Sequence, residues 1–422
     1  MAERRDSKNR VLLKGEYQKA DGRYMYKYVD SKGEQRFVYS WTLTQADRTP
    51  QGKKQSKCLR ELEKEIAKDI HEEIDTFKAK KVTLSAFFDE YLKQKQELKP
   101  TTRTGYRIMY NNNVRNYIGG KALSDIKYSD IKKLYNHLYY EDGLSPSSIS
   151  RVHSILHPVF EVAIRDGYIR SNPTQGVLRE MKRGLNWSGT KRRALSIPEQ
   201  KAFVDFVKTH DKYRQWMPLF TFFLGTGCRI SEVLGLTWDD CDFKTGIISI
   251  NHGLLYKTDE DTGKCRFYIS TPKTDAGNRE IPMMNAVREA LLNARTQQER
   301  TGFSQSVIDG YSGFVFCNSD RGVILPVNVA RTIDRIVLDY NAEEKVLAEN
   351  QHREPLLLPH FSPHNLRHTF CTRLCENETN IKVVQEIMGH SSIAVTMDIY
   401  NEATRDKKRE SFASLEGKVR IC

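Results

Sequence analysis

Two segments of this 422-residue chain concentrate side chains suited to the chemistry of a phosphate ester. The first is Gly225-Thr-Gly-Cys-Arg-Ile-Ser-Glu-Val-Leu-Gly-Leu-Thr-Trp238. In the second, Pro363-His-Asn-Leu-Arg-His-Thr-Phe370 is followed by Ile387-Met-Gly-His-Ser-Ser-Ile393 and Thr396-Met-Asp-Ile-Tyr400. His364 and Arg367 stand three apart at an expected helix start, so they share a face near an N-terminus whose N–H groups already favour an anion. A guanidinium is a planar fork that fits two phosphate oxygens at once. Arg229 follows a Gly-Thr-Gly-Cys turn that can present its head group into a cleft. Two arginines on one phosphate would offset the charge of a pentavalent transition state, where losing one such donor costs a factor of ~10²–10³ in rate. Tyr400 lies ten residues after His390. A phenol has a pKa of ~10, so it needs a base or a strongly cationic surround to act as a nucleophile. Each motif alone has an ordinary structural reading; a single tyrosine in a helical stretch is more often core than nucleophile. The set taken together shifts the balance toward chemistry.

The elements that must position these residues fall into three zones, with no internal repeat. Up to about residue 80, Tyr24–Val29 and Gln35–Trp41 are rich in aromatic and β-branched residues around the turn Asp30-Ser-Lys-Gly33, which predicts a hairpin. A charged helix is expected from about Ser56 to Lys78. Arg23, Lys27 and Arg36 alternate with aromatics on the strands; the face they make is either a DNA-reading sheet or a solvated basic surface. From about Val82 to Asn186 the pattern is all-helical, broken at Lys99-Pro100, Gly119-Gly120 and Gly143 through Pro146, with a last helix at about Ser147 to Asp166. Arg103 lies at one of these helix starts and is a further candidate DNA contact. Residues 181–193 read as a basic interdomain linker that could lie along phosphates through Arg192 and Arg193. The third zone, 194–422, mixes helices with strands expected at Ile247–Ile250, Phe267–Ser270 and Glu280–Pro282.

Bulk composition agrees with a polyanionic partner. Sixty-seven lysines and arginines against 54 acidic residues give a net charge of +13. That favours nucleic acid or an anionic membrane surface over a neutral partner, although a merely soluble basic protein has the same balance. No run reaches the ~18 apolar residues of a membrane span, and the opening MAERRDSKNR has no apolar signal core. The eight cysteines form no Cys-x-x-Cys pair, which points to reduced thiols. Cys371 and Cys375 could share a helix face, but a zinc site needs two further ligands. There is no Gly-x-x-x-x-Gly-Lys-[Ser/Thr] loop, so ATP use is not indicated. Asp239, Asp240 and Asp242 form the one tight carboxylate group near a motif. A two-metal nuclease would need such a group, but they read as turn and capping residues.

As a set, these motifs resemble the catalytic signature of the tyrosine recombinases, the lambda-integrase family. Thr226 to Trp238 resembles the family's first arginine box, with Arg229 as its phosphate arginine. His364 and Arg367 match the His-x-x-Arg box. Met388-Gly389-His390 matches the Leu-Gly-His box with Met for Leu, and Thr396 to Tyr400 matches the nucleophile box. Thr271-Pro-Lys-Thr-Asp-Ala-Gly-Asn-Arg-Glu-Ile-Pro282 resembles the hairpin that carries the family's lysine, here Lys273, which otherwise reads as a surface turn residue. The middle zone resembles the helical core-binding domain, down to its closing Gly-Tyr-Ile and Asn-Pro. The first zone resembles the arm-binding domain of integrases from conjugative transposons.

The resemblance implies a multidomain, mostly α protein with small β parts. An arm-type DNA-binding domain (1–80) with a three-stranded sheet plus helix precedes an all-α core-binding domain (81–180), the linker, and a mixed α+β catalytic domain (194–422) with a tail from about 401. It implies a metal- and ATP-independent site-specific recombinase that uses no cofactor. Tyr400 would form a 3′-phosphotyrosine, Arg229, Arg367 and His390 would bind the non-bridging oxygens, and His364 would assist proton transfer or orient the phosphate. Lys273 would protonate the leaving 5′-oxygen. Glu232, inside the first box, is expected to be structural rather than a base. Implied partners are double-stranded DNA at element ends and a target site, and a synaptic homotetramer in which the tail helix, about Arg405 to Leu415, packs on a neighbouring subunit or, as the alternative, on its own. An excision factor and a host DNA-bending protein are candidate accessories. The implied location is the bacterial cytoplasm, on the nucleoid when bound. Two other functions share the fold or the chemistry: a DNA-binding regulator without catalysis, and a topoisomerase-like relaxing enzyme.

Overall fold

Residues 3–30, 33–71, 76–184, 193–259, 262–272, 275–378 and 380–401 are described by the computed structural model. The chain divides into two units, residues 1–189 and 190–422. No helix among the described residues is long and apolar enough to cross a membrane.

In the first unit, strands β1 (Glu16–Gln18), β2 (Tyr24–Val29) and β3 (Gln35–Ser40) form an antiparallel sheet in that order. Its register pairs Tyr24 with Ser40, Tyr26 with Val38 and Lys27 with Phe37. Alternation therefore turns Tyr24, Tyr26 and Val38 inward, where they join Leu12, Leu43 and Leu59. Helix α1 (Leu59–His71) packs on β2 and β3. It starts later than the charge pattern suggests because the N–H groups of Leu59 and Arg60 bond to the carbonyls of Thr42 and Leu43, which fixes the first turn. A short helix, α2 (Thr76–Lys81), stands where the expected helix would have continued.

The helical part of this unit comprises α3 (Leu84–Gln94), α4 (Pro100–Tyr110), a π turn (Asn111–Arg115) leading into α5 (Asn116–Ile118), α6 (Tyr128–Tyr140), α7 (Pro146–Arg165) and α8 (Val177–Gly184). Phe88 stacked on Tyr110 sits in its core with Ile131, Tyr135, Leu156 and Phe160. Helix α8 carries regular structure into the segment expected as linker, since Val177, Leu178 and Met181 pack on that core. The remainder of that segment up to Arg192, and the tail helix expected at about Arg405 to Leu415, lie outside the described residues.

The second unit opens with α9 (Ile197–Thr209), α10 (Met217–Thr226) and α11 (Ile230–Gly235). Strands β4 (Cys241–Asp242), β5 (Ile247–Ile250), β6 (Gly253–Thr258), β7 (Cys265–Ser270) and β8 (Arg279–Pro282) follow. They make a β4-β5-β8 sheet and a β6-β7 hairpin, both antiparallel. The three expected strands are present as β5, β7 and β8. Helices α12 (Asn285–Thr301), α13 (Pro326–Asn350), α14 (Pro363–Asn377) and α15 (Ile381–Met388) complete the unit, with a last helical segment at 393–401. Helix α10 is apolar nearly all round, so it lies in the core, with Leu219, Phe220, Phe222 and Phe223 buried against α12 and α14.

Candidate active site

Two helices end beside each other at left-handed glycines. Helix α10 stops at Gly227, φ +62°, and α15 at Gly389, φ +61°. Glycine takes this conformation without a Cβ penalty. The last carbonyls of a helix lack intrahelical donors and carry partial negative charge. Arg367, buried on α14, collects both ends: Nη1 donates to Gly227 O and Nη2 to Met388 O, each at 2.6 Å.

Arg229 sits at the N-cap of α11. Its backbone N–H donates to Glu232 Oε2 at 2.9 Å, its Nη1 to Glu232 Oε1 at 2.6 Å and its Nη2 to Gly389 O at 2.9 Å. Glu232 also receives Arg279, whose Nη2 donates to Oε2 at 2.8 Å while Nε donates to Ile387 O at 2.8 Å. Two of the three guanidiniums thus share one carboxylate, and main-chain carbonyls accept from all three. The excess positive charge suits an anionic ligand.

The electrostatics follow from that excess. Burial alone would raise the Glu232 carboxyl, but Arg279 and Arg229 outweigh it and hold it at about 2. Burial and the neighbouring Arg229 charge draw Arg367 down to about 10. The buried His390 ring is pushed down to about 4 by desolvation and by Arg367, Arg229 and Arg279, so it is neutral at physiological pH. Its Nδ1 lies 3.0 Å from the buried Thr396 Oγ1, and Gln385 Nε2 donates to its carbonyl at 2.9 Å.

Arg229, Arg367 and His390 are therefore brought together: both arginines bond to carbonyls of the Met388-Gly389 turn that precedes His390, and their charges act on its ring. His364 is the exposed second residue of α14, one turn before Arg367. Tyr400 is half-buried in the last helical segment and packs on Phe370, Cys371, Cys375, Val384 and Met388. That cluster borders the Gly227 turn, where an added Cβ would come within 2.3 Å of Phe370 and 3.0 Å of Met388 Sδ. Cys371 and Cys375 do share a helix face, and it is this apolar one. Lys273 lies outside the described residues. Asp240 caps the turn before it, accepting from Thr237 N–H and Oγ1, and Asp242 accepts from Lys244 and Thr245. Sequence reasoning missed Arg279, which opens β8, and the Thr396 contact with His390.

The candidate DNA contacts divide. Lys27 is on the outer face of the N-terminal sheet with exposed Tyr17, Phe37 and Tyr39, and Arg23 stacks over Tyr39 and Trp41. Arg36 is not on that face. The register sets it opposite Tyr28 on the helix side, bonded to Asp30 at 3.0 Å and paired with Glu34. Arg103 is half-buried on α4, and Arg193 is bidentate to Glu199 at 2.7 and 2.9 Å. Arg192 is outside the described residues.

Known proteins align with every part of this arrangement. The Phage integrase family profile matches residues 194–407. The N-terminal SAM-like domain of phage integrases matches 83–139, and the DNA binding domain of Tn916 integrase matches 1–70. The transposase from transposon Tn1545 of Streptococcus pneumoniae is 36% identical over 405 residues, covering 96% of this chain and 94% of its own. The transposase from Tn916 of Enterococcus faecalis is 35% identical over the same span. Among solved structures, the Tn1549 transposon integrase in complex with a circular intermediate DNA superposes with a TM-score of 0.68 at 30% identity, covering 79% of this chain and 99% of that one.

Proposed function

The chain belongs to the phage integrase family of tyrosine recombinases, and on that premise we propose that it integrates and excises a mobile DNA element through a 3′-phosphotyrosine at Tyr400. The Tyr400 oxygen attacks the scissile phosphorus, and the bond to the 5′-oxygen breaks. Lys273 supplies the proton that makes this oxygen a free hydroxyl. Arg229, Arg367 and His390 hold the non-bridging oxygens, and His364 assists proton transfer or orients the phosphate. In this mechanism the Thr396 hydroxyl, 3.0 Å from Nδ1, takes the donor role, so that the neutral His390 ring carries its hydrogen on Nε2 as a donor to a phosphate oxygen. The 5′-hydroxyl of a partner strand then reverses the step. One ester replaces another, so neither ATP nor metal is required.

The observation that carries this reading is the arginine cluster, which keeps its charge because carbonyls rather than carboxylates hold most of it. Double-stranded DNA is the substrate, at element ends and at a target site, and the active assembly is a homotetramer at synapsis. Lys27, Arg23 and the aromatics beside them contact arm DNA; Arg103, Arg192 and Arg193 contact DNA elsewhere along the duplex. Arg36 supports the sheet from its other face. An excision factor and a host DNA-bending protein act as accessories, and the protein works in the bacterial cytoplasm on the nucleoid.

The test is a suicide-substrate assay: nicked duplexes carrying element ends, in EDTA, resolved on a denaturing gel. The wild type should form a covalent adduct, and Tyr400→Phe should bind DNA without forming one. Specific binding with no adduct on any cognate duplex would favour the DNA-binding regulator instead, and relaxation without site preference would favour a topoisomerase-like enzyme.

A further inference from the structure

We propose that Arg279 is a positioning residue for strand cleavage, a buried clamp that sets Arg229 and the His390 turn in register with the strand that follows Lys273. This rests on the reading of Arg229 and Tyr400 given above. The Arg279 side chain is only 5% exposed. Its Nε donates to Ile387 O at 2.8 Å, in the last turn of α15. Its two terminal nitrogens grip Glu232 at 2.8 and 3.3 Å, Nη1 reaches Gly277 O at 3.3 Å in its own turn, and Nη2 lies 3.7 Å from Cys228 Sγ. One head group therefore ties together α11, the residue before Arg229, the end of α15 and the start of β8.

Two consequences follow for the reacting groups. A carboxylate has about four lone-pair sites, and Arg279 shares those of Glu232 with Arg229. Without Arg279, Glu232 becomes the partner of Arg229 alone and draws that guanidinium away from the phosphate. The second consequence is steric. A Cβ at Gly389 would come within 2.9 Å of Arg279 Nη1, so the turn that presents His390 is packed directly on this side chain. The Arg279 charge also adds to the field that keeps His390 neutral.

The experiment uses the full chain and the same nicked duplexes, under single turnover at saturating protein. Arg279→Met should slow adduct formation by ~10–10²-fold, the scale expected when a reacting group is displaced by about an ångström. DNA affinity should change by less than about threefold, because Arg279 is too buried to touch DNA. Arg279→Lys, which keeps the charge and one donor direction, should recover part of the rate. Arg279→Met combined with Glu232→Gln should cleave faster than Arg279→Met alone, since the carboxylate that captures Arg229 is gone. The acid limb of the cleavage profile should move to higher pH in Arg279→Met, because removing a positive neighbour makes His390 easier to protonate. A purely structural role predicts otherwise: rate lost only in proportion to folded protein, equal Lys and Met variants, no recovery in the double variant and an unmoved acid limb. That outcome overturns the proposal, as does a wild-type rate in Arg279→Met. An adduct that persists in Tyr400→Phe is a different failure; it removes the nucleophile assignment and the proposal with it.

Discussion

Replacing Gly389 by alanine tests how tightly the arginine cluster is built. At φ +61° an L side chain costs about 1–2 kcal/mol. The new Cβ would also lie 2.9 Å from Ala276 O and 2.9 Å from Arg279 Nη1. The first of these atoms is backbone and the second belongs to a buried head group that donates to Glu232, Gly277 O and Ile387 O, so neither can rotate aside, and overpacking of this kind adds roughly 1–3 kcal/mol. Gly389→Ala should therefore destabilise by about 2–5 kcal/mol. Gly313, in the same unit at φ +71° with no atom within 4 Å of its missing Cβ, supplies the control. Gly313→Ala carries only the backbone term, about 1–2 kcal/mol. Urea denaturation of the two variants against wild type gives the difference directly. Cleavage should separate them further, because Gly389 O is an acceptor of Arg229 and Gly389 adjoins His390. A displaced turn should slow adduct formation by ~10–10²-fold in Gly389→Ala and leave Gly313→Ala near wild type. Equal destabilisation of the two with equal cleavage rates would refute the packing argument.

Three further outcomes are expected. Glu232→Gln leaves Arg279 buried without its counter-charge and should cost about 3–5 kcal/mol by denaturant titration. Because the folded carboxyl is held at about 2, its contribution is complete above the ordinary carboxylate range and fades as pH falls toward that value; the variant should lack this acid-side slope. The folded state prefers His390 neutral, with its pKa down at about 4, so stability from this ring is full above ~6.5 and declines as pH drops toward 4. His390→Asn should flatten that stretch of the stability–pH curve, measured by melting at intervals of pH, and an unchanged slope would discount the buried ring. On α1, burial and the neighbouring Glu16 of β1 raise Glu63 to about 8, so the folded state keeps its proton and loses stability as pH climbs from the usual carboxylate range toward 8. Glu63→Gln should melt higher than wild type at pH 9 and no higher at pH 5; the reverse order would contradict the assignment.

What could be read in advance was what chemistry forces into a sequence. A phosphate site needs arginine, histidine and a nucleophile in short local motifs, and Arg229, Arg367 and His390 assemble from theirs. The strands β5, β7 and β8 carry β-branched and aromatic residues and were visible for that reason. Arg279 was not, because its acceptors Glu232 and Ile387 lie 47 and 108 positions away and nothing local marks it. The face of Arg36 was hidden for another reason. Side chains alternate with period two, so the register of β2 against β3 decides which face it takes, and that register places it opposite Tyr28 rather than beside Lys27. The start of α1 depended likewise on carbonyls of Thr42 and Leu43, which a helical charge pattern does not reveal.

The choice of acceptors explains how so cationic a cluster is stable and still useful. A buried guanidinium must have its N–H groups bonded, and a carboxylate would do this best. Each added carboxylate, however, would cancel one charge that a phosphate is meant to meet. Carbonyls satisfy the donors without a full negative charge, and at a helix C-terminus they carry part of about half a charge, enough to offset desolvation in part. Arg367 takes its two acceptors from such ends, at Gly227 and Met388, and Arg229 and Arg279 reach Gly389 and Ile387 on the same turn. Among the described residues a single carboxylate, Glu232, bonds to these guanidiniums, and it is divided between two of them. Three positive charges against one negative remain, already aligned, so in the proposed reaction the charge that builds on the non-bridging oxygens would meet donors that need no reorganisation. The two left-handed glycines are part of that arrangement: they end α10 and α15 where carbonyls face the arginines, and at Gly389 the missing Cβ leaves room for Arg279.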